Sequence, residues 1–227
     1  MPVLGDWKLA LDIDAVLAGQ GCDPEMVRSR NGAIVDAARR ALELGEGLVA
    51  AAVAFGVFGV DAVGRERVVL AGGKTLSGAL IVGALGASER VVAAVATIGG
   101  ALERRVSQLM VDEPLIGLAL DGLGTAALGR LSTCVCRHFD EMAAGTALRA
   151  TVPLSPGMDG WPLAEGQREL FGLVDASGIG VRLMSSCQMV PRKSLSLVIG
   201  MGSRVARGEH RCEWCGMWDT CRYKCVA

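Results

Sequence analysis

Pro153-Leu154-Ser155-Pro156-Gly157-Met158-Asp159-Gly160-Trp161-Pro162 leads into residues 163–176, and then into two period-two segments at 181–186 and 194–200. The opening ten residues hold Pro153, Pro156 and Pro162 together with Gly157 and Gly160. Proline lacks the N–H that a helix interior or inner strand uses, so neither structure fits there. The expectation is an ordered, extended loop with exposed main-chain groups. Residues 163–176 place Leu163, Leu170, Leu173 and Val174 on one helical face, with Glu165, Arg168 and Glu169 elsewhere. After Ser177-Gly178-Ile179-Gly180 the period changes to two. Val181, Leu183 and Ser185 alternate with Arg182, Met184 and Ser186, and Leu195, Leu197 and Ile199 alternate further on. The spacing predicts an antiparallel hairpin of 181–186 with 194–200, turning at Val190-Pro191-Arg192-Lys193. Loop, helix and hairpin form one unit.

This unit resembles the activation (reactivation) domain of cobalamin-dependent methionine synthase, and especially its short stand-alone relatives. The resemblance rests on Pro156-Gly157, on Pro162 and the helix after it, and on Met189-Val190-Pro191 leading to Ser194–Ser196. It extends upstream through Ala96-Thr97-Ile98-Gly99 and Leu120-Asp121-Gly122-Leu123-Gly124. It implies an α+β fold with helices packed on a twisted, mostly antiparallel sheet. It also implies S-adenosylmethionine as a possible methyl donor, with main-chain groups of Ser155, Pro156, Gly157 and Met158 lining the groove for its adenosyl moiety. The family's loop carries an Arg four residues before its Gly and a Tyr directly after it, where this chain has Pro153 and Met158. Loss of that Arg removes a bidentate contact to a carboxylate, worth about 1.5–3 kcal/mol. Binding much weaker than in relatives carrying both residues is therefore expected.

Composition narrows the class. The 227 residues suit one domain or two small ones. Hydrophobic residues reach 51%, but alanine and glycine inflate that figure. No uncharged run is longer than 47–60, which contains Gly56 and Gly59 and is shorter than the roughly 20 apolar residues a membrane helix needs. No basic segment precedes the apolar residues of the first seven positions, so neither a membrane location nor a secretory signal is expected. Formal charge is −1 with both signs mixed outside 204–211, which argues against a nucleic-acid partner.

Along the chain, residues 7–16 read as a strand-like or irregular start. Asp23-Pro24 opens a helix that carries Val27, Ile34, Val35, Ala38, Ala41 and Leu42 on one side and ends at Gly45 or Gly47. Residues 48–60 favour strand, as do 68–71 and the Val/Ala run 90–97. Gly72-Gly73-Lys74-Thr75 between a strand and a helix at 76–85 invites a phosphate-loop reading. Val68 stands where that loop needs its first Gly, so a turn and helix start are expected instead. A helix over 101–111 turns Leu102, Val106, Leu109 and Met110 inward, and Pro114 opens a long helix to about residue 143. On the latter, Ala119, Gly122, Ala126 and Gly129 form a small-residue stripe for close helix packing. Asp121 reads as the partner of a neighbouring helix N-terminus or an Arg in preference to the place near the ligand groove that the resemblance implies. Cys134 and Cys136 read as core thiols, and His138 as a surface or capping residue.

Four of the eight cysteines, Cys212, Cys215, Cys221 and Cys225, fall in the last stretch at spacings of two, five and three. Four thiolates so close favour one metal centre in a reducing cytoplasm over a disulfide framework. Zinc and an iron–sulfur cluster both fit the spacing. Trp214, Trp218 and Tyr223 beside Gly216 also suggest a zinc knuckle stacking on single-stranded nucleic acid. In the setting that the resemblance implies, a cluster makes chemical sense, because corrinoid reactivation consumes an electron.

The expected organisation is a methionine synthase activation-like domain at 1–203 and a small Cys-rich metal-binding tail at 204–227. No Asp-x-His-x-x-Gly cobalamin loop occurs, so no cobalamin site of its own is expected. The resemblance then implies an accessory protein for reductive reactivation that acts in trans. Its partners would be a corrinoid protein or cobalamin-dependent methyltransferase and an electron donor protein. The alternatives are an iron–sulfur electron carrier or adaptor with a decayed methyl-donor groove, and a zinc-knuckle nucleic-acid binder.

Overall fold

The computed structural model describes residues 1–30 and 32–205. Its elements run β1 (Val3–Leu4), α1 (Ile13–Gly19), α2 (Pro24–Arg30), α3 (Gly32–Gly45), β2 (Ala52–Val63), β3 (Arg67–Leu70) and β4 (Lys74–Ser77). They continue as α4 (Ala79–Leu85), β5 (Arg90–Thr97), α5 (Ala101–Asp112), α6 (Pro114–Ala144), β6 (Arg149–Ala150) and α7 (Leu163–Leu173). β7 (Arg182–Leu183), β8 (Met189–Val190) and β9 (Ser194–Gly202) complete them. One antiparallel sheet has the order β4-β3-β2-β5-β9-β6, with β1 beside β2, while β7 and β8 form a separate ribbon. This is the expected α+β architecture.

β5 sits at the centre because both of its faces are apolar. Every residue from Val91 to Thr97 is buried. Val91, Ala93 and Val95 join a core with α4, α7 and Trp161, and Val92, Ala94 and Ala96 join another under α6. Antiparallel strands usually keep one face polar, and this one cannot. A third core joins α1, α3, α5 and α6. There the small-residue stripe meets α1 so closely that a Cβ on Gly19 would lie 2.1 Å from the Gly122 carbonyl oxygen. α6 is 31 residues long and apolar enough to cross a membrane by length and composition, but half of its most apolar stretch is buried within the fold.

Several local expectations change. Residues 7–16 include the start of α1, where the Asp12 carboxylate caps the helix by accepting the Ala15 N–H at 2.8 Å. The helix expected from Asp23 is described as α2 and α3, with Asp23 accepting the Glu25 and Met26 N–H groups at its start. Lys74–Ser77 is a strand rather than a helix start, because Gly72 and Gly73 take positive φ (+83° and +74°) and turn β3 back into β4. The helix then begins only at Ala79. Met110 is 44% exposed rather than inward, since α5 ends two residues later.

The hairpin also differs. Ser194–Gly202 alternates as expected, but it pairs with β5 from Thr97↔Ser194 to Arg90↔Met201. The ribbon partner of Arg182 and Leu183 is instead β8. The turn between them closes at Cys187, which takes φ +62° and donates its N–H to the Met184 carbonyl at 2.9 Å. Residues 190–193 carry the chain from that ribbon into the main sheet, across a cis Val190–Pro191 bond.

Candidate functional site

Strand β9 brings the two singled-out segments together. Leu154 and Val198 exchange both main-chain hydrogen bonds, Leu154 N–H to Val198 O at 2.9 Å and Val198 N–H to Leu154 O at 2.8 Å. Ser155, one residue on, therefore turns its N–H away from β9. Beyond it the chain is not the extended loop expected from the prolines. The Met158 N–H reaches Ser155 O at 3.2 Å, Trp161 N–H reaches Met158 O at 2.9 Å, and Gly157 N–H reaches Trp161 O at 2.9 Å. Gly157 and Gly160 permit these turns at φ +95° and +81°. The Ser155 N–H meets the Met158 thioether Sδ at 3.2 Å. The loop is folded shut on its own N–H groups.

Trp161 anchors that loop. Its side chain is fully buried. A Cβ on Gly166 would lie 2.7 Å from the indole Nε1 and 3.0 Å from Pro156 Cβ, and one on Gly78 would lie 3.4 Å from indole Cδ1. The indole and the loop thus rest on glycine faces of α7 and of the turn before α4. Leu80 N–H adds a bond to Gly160 O at 3.2 Å. On α7, Leu170 and Leu173 are buried as expected, but Leu163 is 49% exposed at the first turn.

Hydroxyl groups tie the start of β9 to its neighbours. Ser194 Oγ lies 2.9 Å from Thr97 Oγ1 and donates to Pro191 O at 2.7 Å. Thr97 Oγ1 accepts the Gly99 N–H at 3.0 Å, and Ser196 donates to Gln167 Oε1 of α7 at 3.1 Å. All four side chains belong to buried residues, and each has a partner, as buried polar groups require.

Ion pairs hold the adjoining turn from outside. Glu103 of α5 takes Arg192 Nε at 2.6 Å and the Arg192 N–H at 3.0 Å. Burial works against ionisation of Glu103. The hydrogen bonds from the Arg192 side chain and N–H, with the charges of Arg192 and Lys193, outweigh it and hold the carboxyl below its ordinary value. The same side-chain bond raises the Arg192 guanidinium further. Lys193 Nζ reaches Asp121 Oδ2 at 3.0 Å and Thr125 Oγ1 at 2.8 Å. Asp121 thus serves a cation, as expected of a packing partner, but the cation is Lys193.

Other sequence candidates stand apart. His138 is half-buried with its ring edge-on to Trp7, 6.1 Å between centroids. Cys134 and Cys136 are half-buried and form no disulfide. Among the described residues no three His, Cys, Asp or Glu side chains are grouped to hold a metal. Cys212, Cys215, Cys221 and Cys225 lie outside the described residues. Glu103, Gln167, Arg192 and Lys193 carried no sequence signal as a set, because their partners are 29 to 89 residues away.

No protein-family model matches the chain, and no curated protein sequence matches it. Among solved structures it is similar to a crystal structure of the MetH reactivation domain bound to AdoHcy. The TM-score is 0.61 at 12% identity, over 91% of this chain and 80% of that one. The two share a fold.

Proposed function

We propose that this chain is a cytoplasmic accessory protein for the reductive reactivation of a corrinoid methyltransferase such as methionine synthase, acting in trans. The observation that carries this reading is the fold shared with the MetH reactivation domain across 91% of the chain. The reaction in view starts from cobalt(II). One electron reduces it to cobalt(I), which takes a methyl cation from S-adenosylmethionine to give methylcobalt(III) and S-adenosylhomocysteine.

Ser155, Pro156, Gly157 and Met158 are the proposed contact for the methyl donor, and they suit it poorly as they stand. Pro153 offers no cation for a carboxylate. The N–H groups of Ser155, Gly157 and Met158 already have partners inside the loop. The contribution we assign to this chain is a rigid surface. Trp161 seats the loop on α7, Gln167 ties α7 to Ser196 of β9, and Glu103 of α5 grips the 190–193 turn that leads into that strand. This surface is presented to the corrinoid partner.

We further propose that Cys212, Cys215, Cys221 and Cys225 hold one metal centre, a [4Fe–4S] cluster in preference to zinc. It would receive its electron from a donor protein. The test adds purified full-length chain to a corrinoid methyltransferase trapped as cobalt(II), with reductant and S-adenosylmethionine. The return of the methylcobalt(III) spectrum is then monitored. Acceleration that scales with the chain supports the reading, and an unchanged rate with several corrinoid partners overturns it.

A further inference from the structure

We infer that Met158 is a built-in cap on its own loop. Its thioether occupies the Ser155 N–H, the main-chain donor through which the loop would otherwise hold an acceptor atom of a ligand. Met158 thereby sets how tightly the loop binds. This rests on the reading of the loop as a methyl-donor contact, and deepens it.

Three observations carry the inference. First, strand pairing fixes where the donor points. Leu154 exchanges both of its hydrogen bonds with Val198, so Ser155 N–H faces away from β9, where no strand pairs with it among the described residues. Second, Met158 Sδ meets that N–H, 3.2 Å from its nitrogen. Sulfur in a thioether is a weak acceptor compared with a carboxylate oxygen or a ring nitrogen. A ligand bearing either could displace it without leaving a donor unpaired. Third, the side chain has somewhere else to belong. Met158 is half-buried and packs against the core that contains Trp161 and Leu170, so the cap is held by apolar contact as well as by its sulfur. Methionine is flexible enough to give up one contact and keep the other.

These contacts define the ligand class. It is a small molecule with an exposed acceptor, a heteroaromatic nitrogen or a carboxylate, and no need for a guanidinium. Its apparent affinity is the intrinsic affinity reduced by the fraction of loops with the cap displaced. A loop open about one time in ten would bind about tenfold more weakly than an uncapped one.

The experiment compares full-length wild-type chain with Met158→Leu, which conserves apolar volume and removes the acceptor. Two readouts are taken: hydrogen exchange at the Ser155 amide, and calorimetric titration with S-adenosylhomocysteine. We expect Ser155 exchange to accelerate about tenfold in the variant, and affinity for S-adenosylhomocysteine to rise by a similar factor. Unchanged exchange at Ser155 overturns the cap. So does accelerated exchange with measurable but equal affinity in both proteins. Accelerated exchange with no binding by either protein supports the cap and removes the methyl-donor reading instead. Met158→Ala repeats the comparison with the side chain shortened, so that a packing effect peculiar to leucine cannot imitate the result.

Discussion

Arg192 and Glu103 are joined twice across 89 residues of sequence, once through the guanidinium and once through the main-chain N–H. A carboxylate that grips both groups fixes the direction of the turn, not only its charge. Glu103→Gln should cost about 1 kcal/mol in a urea titration, modest because Arg192 is mostly exposed. The pH dependence has a definite sign. Glu103 titrates below its ordinary value of 4.5, so its contribution is fully present above that pH and is lost as pH falls through the lower folded value. Stability differences between wild type and Glu103→Gln should therefore be flat from neutral pH to about 5 and shrink only in more acid solution. A difference that grew on acidification would contradict the geometry.

Trp161 should be the most costly single side chain in the loop. Trp161→Ala removes a fully buried indole and should destabilise by about 3–5 kcal/mol. Gly166→Ala adds a methyl 2.7 Å from the same ring and should cost about 1–3 kcal/mol. Because both act on one contact, the double variant should cost clearly less than the sum. Denaturation midpoints of the four proteins give the comparison.

The helix layer makes a separate demand. Gly19→Ala would place its methyl 2.1 Å from the Gly122 carbonyl oxygen, a backbone atom that no rotamer change can move. α1 and α6 must then separate. A loss of about 1–3 kcal/mol or more is expected in thermal unfolding, whereas Gly129→Ala, with nothing within 4 Å, should be neutral or slightly stabilising.

For the tail, anaerobically purified chain should be brown, with broad visible absorption that bleaches on reduction. Cys215→Ser should remove that colour and leave the unfolding of the sheet unchanged. Colourless protein carrying one zinc would overturn the redox reading, and titration with single-stranded RNA would be the next measurement.

Much of the sheet was legible because its residues declare themselves locally. The Val/Ala run at β5 could only be a buried strand, and Pro114 could only open a helix. The hairpin failed for a physical reason. A period of two says that Ser194–Gly202 is a strand with distinct faces, but it does not say which strand it pairs with, and that partner is β5, about a hundred residues upstream. The loop failed in the same way. Pro153, Pro156 and Pro162 exclude regular structure, yet nothing in them reveals that Gly157, Met158 and Trp161 turn their N–H groups inward. That a methionine sulfur would meet Ser155 is a three-dimensional fact with no local trace. Glu103 shares this property, since it looks like an ordinary solvated acid until the turn at 190–193 is folded against it, while Asp121 was legible as a packing partner but not as the partner of Lys193.

Strand β9 sets a distance. From Ser194, beside the clamped turn, to Gly202 is eight residue steps, about 26 Å at the usual rise. The far end is fastened by Ser203, whose N–H and hydroxyl both bind Glu89 at 2.8 and 2.7 Å. Seven residue steps separate Val205 from Cys212, and even a fully drawn-out chain of that length spans only about 25 Å. The tether is thus barely as long as the strand. A metal centre on the tail could reach the turn only by drawing that tether out almost completely along β9.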